Sequence, residues 1–151
     1  MGNYISTQEL TERVGTAQMN KALAALGYTV NSQAAVNFQE NLISRAENLV
    51  NSYMGSIYEV ALPKSPMVQE WAMRFAEYEF YKHGGGGDVP VKWKDSYNEA
   101  LAQIKDALRG LIRIPGNLLR NPTVGDSMEI RSERAYFTPK KCNGMRNADL
   151  F

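Results

Sequence analysis

His83 followed by Gly84-Gly85-Gly86-Gly87 is the first place where this chain could do chemistry. A glycine-rich backbone can turn several N–H groups toward a developing oxyanion. A second block, Gly125-Asp126-Ser127-Met128, sets a serine hydroxyl in a turn, where a nucleophile could sit. Both fail on context. A nucleophilic serine needs a base within hydrogen-bond reach, and His83, the only histidine, is far from Ser127 along the chain. The strands that alternate with helices in α/β hydrolases are missing from the pattern. The two blocks read as a flexible loop and a turn, and the chain is not expected to be an enzyme. Cys142 is the only cysteine, so it has no intrachain disulfide partner, and no neighbour activates its thiol. One cysteine and one histidine without a spaced carboxylate cluster make no metal site, and no cofactor is expected.

Aromatic and basic residues are the next candidates. Trp71, Phe75, Tyr78, Trp93 and Tyr97 recur at helical spacing. Their neighbours on that spacing are apolar rather than basic, which favours core packing over a stacking surface for single-stranded nucleic acid. The formal net charge is +1, without the basic excess of a dedicated nucleic-acid binder. The charge is unevenly spread. Residues 1–115 carry 11 Lys/Arg against 12 Asp/Glu, and residues 116–151 carry 6 against 4. Arg131, Arg134, Lys140, Lys141 and Arg146 could meet phosphate or simply keep a tail in water. Phe137, Leu150 and Phe151 favour a third reading, docking on a partner, because terminal aromatics are costly to expose. The partner-binding candidates are Ile130, Arg131, Arg134, Tyr136, Phe137, Leu150 and Phe151.

The elements that must position these residues follow from periodicity and punctuation. A chain of 151 residues, 44% apolar and 22% charged, fits one globular domain. No run is long and apolar enough for a membrane span, and the start lacks the basic-then-apolar pattern of a secretory signal. Gly2 with Ser6 formally fits a myristoylation pattern, but no second membrane signal accompanies it. Ser6-Thr7-Gln8-Glu9 is a capping box that opens a short helix, with Ile5 placed to staple onto Leu10 and Gly15 to end it. Thr16 is placed to cap a second helix that carries Met19, Leu23 and Leu26 on one face and closes at Gly27. Ser32 opens the longest helix, to about Met54. Its expected buried stripe is Ala35, Phe38, Leu42, Ala46, Leu49 and Tyr53, with Glu40 and Glu47 among the outward residues. Its length marks it as the central packing element.

A connector over 56–64 ends in Leu62-Pro63, and Ser65-Pro66 starts the next helix. That helix is expected to run to about residue 82, with Val68, Trp71, Ala72, Phe75 and Tyr78 inward and Glu70 paired with Arg74 outside. Residues 82–88 read as loop. Pro90 starts the last helix, to about Ile112, on a stripe of Trp93, Tyr97, Leu101, Ile104, Leu108 and Leu111. No internal repeat appears. The fold class is all-α: a small bundle of four to five helices over 1–115, followed by an extended C-terminal arm over 116–151. Turn pairs such as Asn121-Pro122 and Thr138-Pro139 punctuate that arm. Residues 127–137 could form one strand, but the body offers it no partner strand, so its order is expected from another molecule.

The succession of segments resembles the head-tail connector proteins of Mu-like phages and prophages. The likeness rests on the opening Tyr4-Ile5-Ser6-Thr7-Gln8-Glu9-Leu10-Thr11-Glu12-Arg13-Val14-Gly15 and on Ala46 to Met54. It continues through Leu62-Pro63, Val68 to Tyr78, Trp93 to Leu101, and Ser132-Glu133-Arg134-Ala135-Tyr136-Phe137-Thr138-Pro139. It covers nearly the full chain, and the order of the pieces says more than any one of them. Met19–Leu26 and the extension Lys140–Phe151 depart from it. The resemblance implies a non-catalytic virion protein, made in the host bacterial cytoplasm. It would form a homo-oligomeric ring, usually a dodecamer, at the neck between the portal protein and the tail, stopper or tail-terminator proteins. Packaged DNA would pass through its channel, and no membrane is involved. The alternative reading is a small helical DNA-binding module that acts in DNA packaging, which would bind DNA in a salt-sensitive way.

Overall fold

The computed structural model describes residues 2–84 and 87–116. They form five helices: α1 (Thr7–Val14), α2 (Thr16–Ala25), α3 (Gln33–Met54), α4 (Pro66–Gly84) and α5 (Val91–Leu108). No β-strand occurs among the described residues, and the fold is all-α as its periodicity requires.

The helix ends follow local chemistry. The Ser6 hydroxyl accepts from the Glu9 N–H at 3.2 Å, and the Glu9 carboxylate accepts from the Ser6 N–H at 2.7 Å, closing the capping box. These bonds hold the Glu9 carboxyl below the usual carboxylate range. Ser32 caps α3 through the Ala35 N–H, and Ser65 caps α4 through the Val68 N–H with Pro66 in the first turn. Gly15, at φ 96°, both ends α1 and precedes α2, so Thr16 is the first residue of α2 rather than its cap. Gly27 closes α2 with two bonds, its own N–H to the Ala24 carbonyl and the Tyr28 N–H to the Leu23 carbonyl. Gly110 repeats this pair at the end of α5, with bonds to Ala107 and from Leu111 to Asp106. The expected end near Ile112 is therefore four residues too late, and Leu111 stands 73% exposed.

The centre of the bundle is α4, not the longer α3. It touches each of the other four helices, and its buried residues include Val68, Trp71, Met73, Phe75, Glu77 and Phe80, which lie all round it. α3 packs antiparallel to α4: Arg45 at its middle meets Glu79 near the end of α4, and the N-terminal segment links Asn51 near the end of α3 with Gln69 near the start of α4. α5 is antiparallel to α4 on another side. Gln103 meets Trp71, Glu99 meets Arg74, Tyr97 meets Phe75 and Tyr78, and Trp93 stacks on Tyr81 at 4.7 Å. Of the five aromatics read as core residues, Trp71 and Phe75 lie in the core and Tyr97 packs against it, whereas Tyr78 and Trp93 are half-buried and pack on Tyr97 and Tyr81.

Three further expectations are corrected. On α3 the fully buried face includes Ile43, Glu47, Val50 and Met54, whereas Phe38, Leu49 and Tyr53 are only partly covered. The buried face is wider than one stripe, because the N-terminal segment covers a side of α3 that α4 does not. Leu26 is 39% exposed because it is the C-cap of α2 and lies outside the helical period. Lys82, His83 and Gly84 are the last turn of α4, not loop. Gly84 is buried there, and a Cβ on it would lie 3.2 Å from the Ala22 Cβ, so its glycine permits close approach of α2 to α4.

Trp71 is fully buried and donates its indole N–H to the Gln103 side chain at 2.9 Å. Trp71→Ala is expected to cost about 3–5 kcal/mol through the cavity it leaves. A urea titration followed by far-UV circular dichroism measures that loss.

Candidate functional site

The possible reaction centre at His83 resolves into a surface ion cluster. His83 Nε2 lies 2.9 Å from Arg45 Nη1 and 3.1 Å from Glu79 Oε2. Glu79 also pairs with Arg45 at 3.7 Å and Lys82 at 3.9 Å. The imidazole is engaged by α3 and its own helix, and its hydrogen bonds run to these two side chains rather than to a serine or cysteine among the described residues. Ser127 and Cys142 lie outside the described residues. Among the described residues, no group of three or more His, Cys, Asp or Glu could hold a metal ion, and no helix is long and apolar enough to cross a membrane.

The N-terminal segment is built around Glu47. Its carboxylate accepts three successive backbone N–H groups, from Asn3 at 2.9 Å, Tyr4 at 2.7 Å and Ile5 at 3.2 Å. Successive N–H groups around one anion form a nest. Glu47 is buried, and such a charge is tolerable only with donors of this kind. Tyr4, 1% exposed, extends the tie: its hydroxyl donates to Asn51 and accepts from the Leu62 N–H at 2.9 Å, while its carbonyl accepts from Gln69 at 3.2 Å. Burial pushes the Tyr4 phenol above its usual range. A Cβ on Gly2 would collide with the Glu47 carboxylate, the Ile5 carbonyl and Ile43. Gly2 therefore serves close packing here, which is a sufficient reason for glycine at that position.

A belt of charge joins α1, α4 and α5. Arg13 reaches Glu70 at 3.1 Å and Glu77 at 3.2 Å, and Arg74 bridges Glu70 at 3.1 Å and Glu99 at 2.7 Å. The Glu70–Arg74 pair is the one expected from spacing. Glu77 differs from the others in being 1% exposed, with Oε2 lacking any hydrogen bond. Burial raises its carboxyl above the ordinary range, and Arg13 only partly opposes this.

The stretch that forms α2 and the start of α3 carries little charge. From Val14 to Gln39 the only charged side chain is Lys21. Leu26, Tyr28, Val30 and Val36 are exposed there by 36–45%. A cleft of about 560 Å³ opens between α1, α2 and the start of α3. Buried Met19, Leu23 and Ala35 and half-buried Thr11, Asn20 and Gln39 line it, and its one charged residue is Glu12. Exposed apolar groups on a charge-depleted patch are the composition of a protein–protein interface.

The sequence-predicted partner-binding residues Ile130, Arg131, Arg134, Tyr136, Phe137, Leu150 and Phe151 all lie outside the described residues. Sequence reasoning placed Glu47 on an outer face of α3 and did not single out Asn51, Gln69 or the Arg13–Glu77 pair. A helical period cannot show that a carboxylate is turned toward backbone amides from more than forty residues away. The missed corner did carry a signal, the long stretch with a single charge.

Removing the Glu47 carboxylate strands three buried or half-buried amides. Glu47→Ala is expected to cost on the order of 3 kcal/mol and to speed hydrogen exchange at Asn3, Tyr4 and Ile5, which NMR measures amide by amide. Glu77 makes a pH prediction. Its folded pKa lies above the unfolded one, so its stabilising contribution is complete below the unfolded carboxylate pKa and is lost as pH rises through the folded value. The native protein should therefore lose stability relative to Glu77→Gln as pH rises from the ordinary carboxylate range toward neutrality, as paired denaturant titrations across that range would record.

No curated protein and no solved structure matches the chain. A family described as Bacteriophage Mu, Gp36 matches residues 4–130. The match begins at Tyr4, the residue that ties the N-terminal segment into the core, spans all five helices and continues beyond them. On a match over most of its length, this all-α chain belongs to the Gp36 family of bacteriophage Mu and is a phage protein.

Proposed function

We propose that this phage protein is a structural component of the virion neck: a head-tail connector that assembles as a ring between the portal protein and the tail components once DNA is packaged. It acts by binding and not by catalysis. Its partners are other copies of itself, the portal, and the stopper or tail-terminator proteins, with packaged DNA passing through the channel. The observation that carries this reading is the extent of the family match. It runs past the helical body to residue 130, so the shared unit includes the first part of the 116–151 segment. A body that presents exposed apolar side chains between α2 and α3, joined to a further segment with six Arg/Lys and the Tyr136-Phe137 pair, suits repeated contacts between copies. Around a ring, modest contacts add up by multivalency.

Electron microscopy of the protein mixed with its portal, or with DNA-filled heads, is the direct test. A ring of density coaxial with the portal is the expected result. If no density is added to portals or heads, while the free protein shifts DNA in a salt-sensitive gel assay, the packaging-module reading replaces this one.

A further inference from the structure

Tyr28 and Phe38, whose ring centroids lie 6.0 Å apart, wall a cavity of about 250 Å³ together with Leu26 and Leu42. Leu42 is buried and Phe38 half-buried, while Leu26 and Tyr28 stand in water. The rim is polar: Asn41 and Arg45 come from α3, and His83 from the last turn of α4. Among the described residues that line the cavity, Arg45 is the charged one and none is acidic. A pocket for a drug-sized ligand takes roughly 300–1,000 Å³. This one is smaller and suits a single side chain.

The rim also holds a contact that cannot be satisfied from within. His83 Nε2 lies 2.9 Å from a donor, Arg45 Nη1, and 3.1 Å from an acceptor, Glu79 Oε2. One nitrogen serves only one of them at a time. Without a proton it accepts from Arg45 and turns a lone pair toward the Glu79 oxygen; with a proton it donates to Glu79 and turns N–H toward N–H at Arg45. A carboxylate from outside removes the conflict. It takes the Arg45 guanidinium, whose planar fork matches two oxygens, and leaves His83 free to donate to Glu79. Arg45 is accessible for this, with 59% of its side chain exposed and its ion pair to Glu79 as long as 3.7 Å. Arg45, Lys82 and Glu79 sum to +1 even with a neutral imidazole, so the local field favours an anion.

We propose that this cavity binds a partner protein through a large apolar side chain, phenylalanine or leucine, that adjoins an aspartate or glutamate. The apolar group fills the space between Tyr28, Phe38 and the two leucines, and the neighbouring carboxylate pairs with Arg45. The walls decide the class of ligand. A phosphate would meet Arg45 equally well but would leave four apolar walls in water, whereas an apolar side chain covers them. The site belongs to the helical body and does not depend on the neck reading.

The test follows ¹⁵N–¹H correlation spectra of the full chain as the blocked peptide acetyl-Gly-Asp-Phe-Gly-amide is added. Saturable shifts are expected at Leu26, Tyr28, Asn41, Arg45 and His83. Changing the peptide's Asp to Asn, or its Phe to Ala, should weaken binding by about tenfold. Asn41→Glu sets a rival carboxylate on an exposed position one turn before Arg45. It should weaken binding by about tenfold at unchanged thermal stability, and Arg45→Gln should act alike. The absence of saturable shifts at millimolar peptide, equal binding of either altered peptide, or shifts centred on another surface would each overturn the proposal. So would a stronger response of the same residues to a thymidine tetranucleotide, which would mark a base stacked on Tyr28 with its phosphate on Arg45.

Discussion

A single buried carboxylate ties the start of the chain to its middle. Glu47 sits on the side of α3 that faces away from solvent, and three consecutive amides of the N-terminal segment converge on it. An ionised carboxylate without partners in that place would be costly, and so would the amides without an acceptor. Each makes the burial of the other tolerable. Everything near the start follows from this. Tyr4 and Ile5 are drawn into the core, the Tyr4 hydroxyl links α3 to the connector before α4, and the capping box begins α1 in the position from which Arg13 reaches α4.

The body is thereby closed on several sides. α4 is wrapped by α3, α5, α1 and α2, so its sequence shows weak amphipathicity and its apolar residues lie all round it. Burying Glu77 among them is a cost that Arg13 offsets only in part, since one carboxylate oxygen has no hydrogen bond. The ionic belt of Arg13, Glu70, Arg74 and Glu99 lies at or near the surface, where such pairs contribute little stability. Its effect is to fix how α1 and α5 lie across α4. At the α2–α3 corner Leu26 and Tyr28 stand in water beside the Arg45–His83 pair, and Val30 and Val36 are exposed as well.

Much of this was legible along the chain. Ser6, Ser32 and Ser65 with Pro66 announce three helix starts, because an N-cap is a local arrangement completed within three residues. Gly15 and Gly27 announce stops for the same reason. Gly110 is hidden as a stop because Leu111 and Ile112 prolong the apolar pattern beyond it. The family likeness was also legible, in the order of its segments from Tyr4 onward.

The sequence by itself determined five helices, their starts, most of their inward residues and membership in a phage family, since all of these depend on neighbours within a turn or two or on the order of segments. Tertiary structure alone decided that α4 is the hub, that Glu47 points inward, that Gly2 and Gly84 are glycines for close packing, and that the charge-poor stretch is gathered into one cleft-bearing corner. The physical reason is distance along the chain. A carboxylate gathering amides from residues 42–44 positions away leaves no periodic trace, and a surface patch exists only once the elements that border it have been packed.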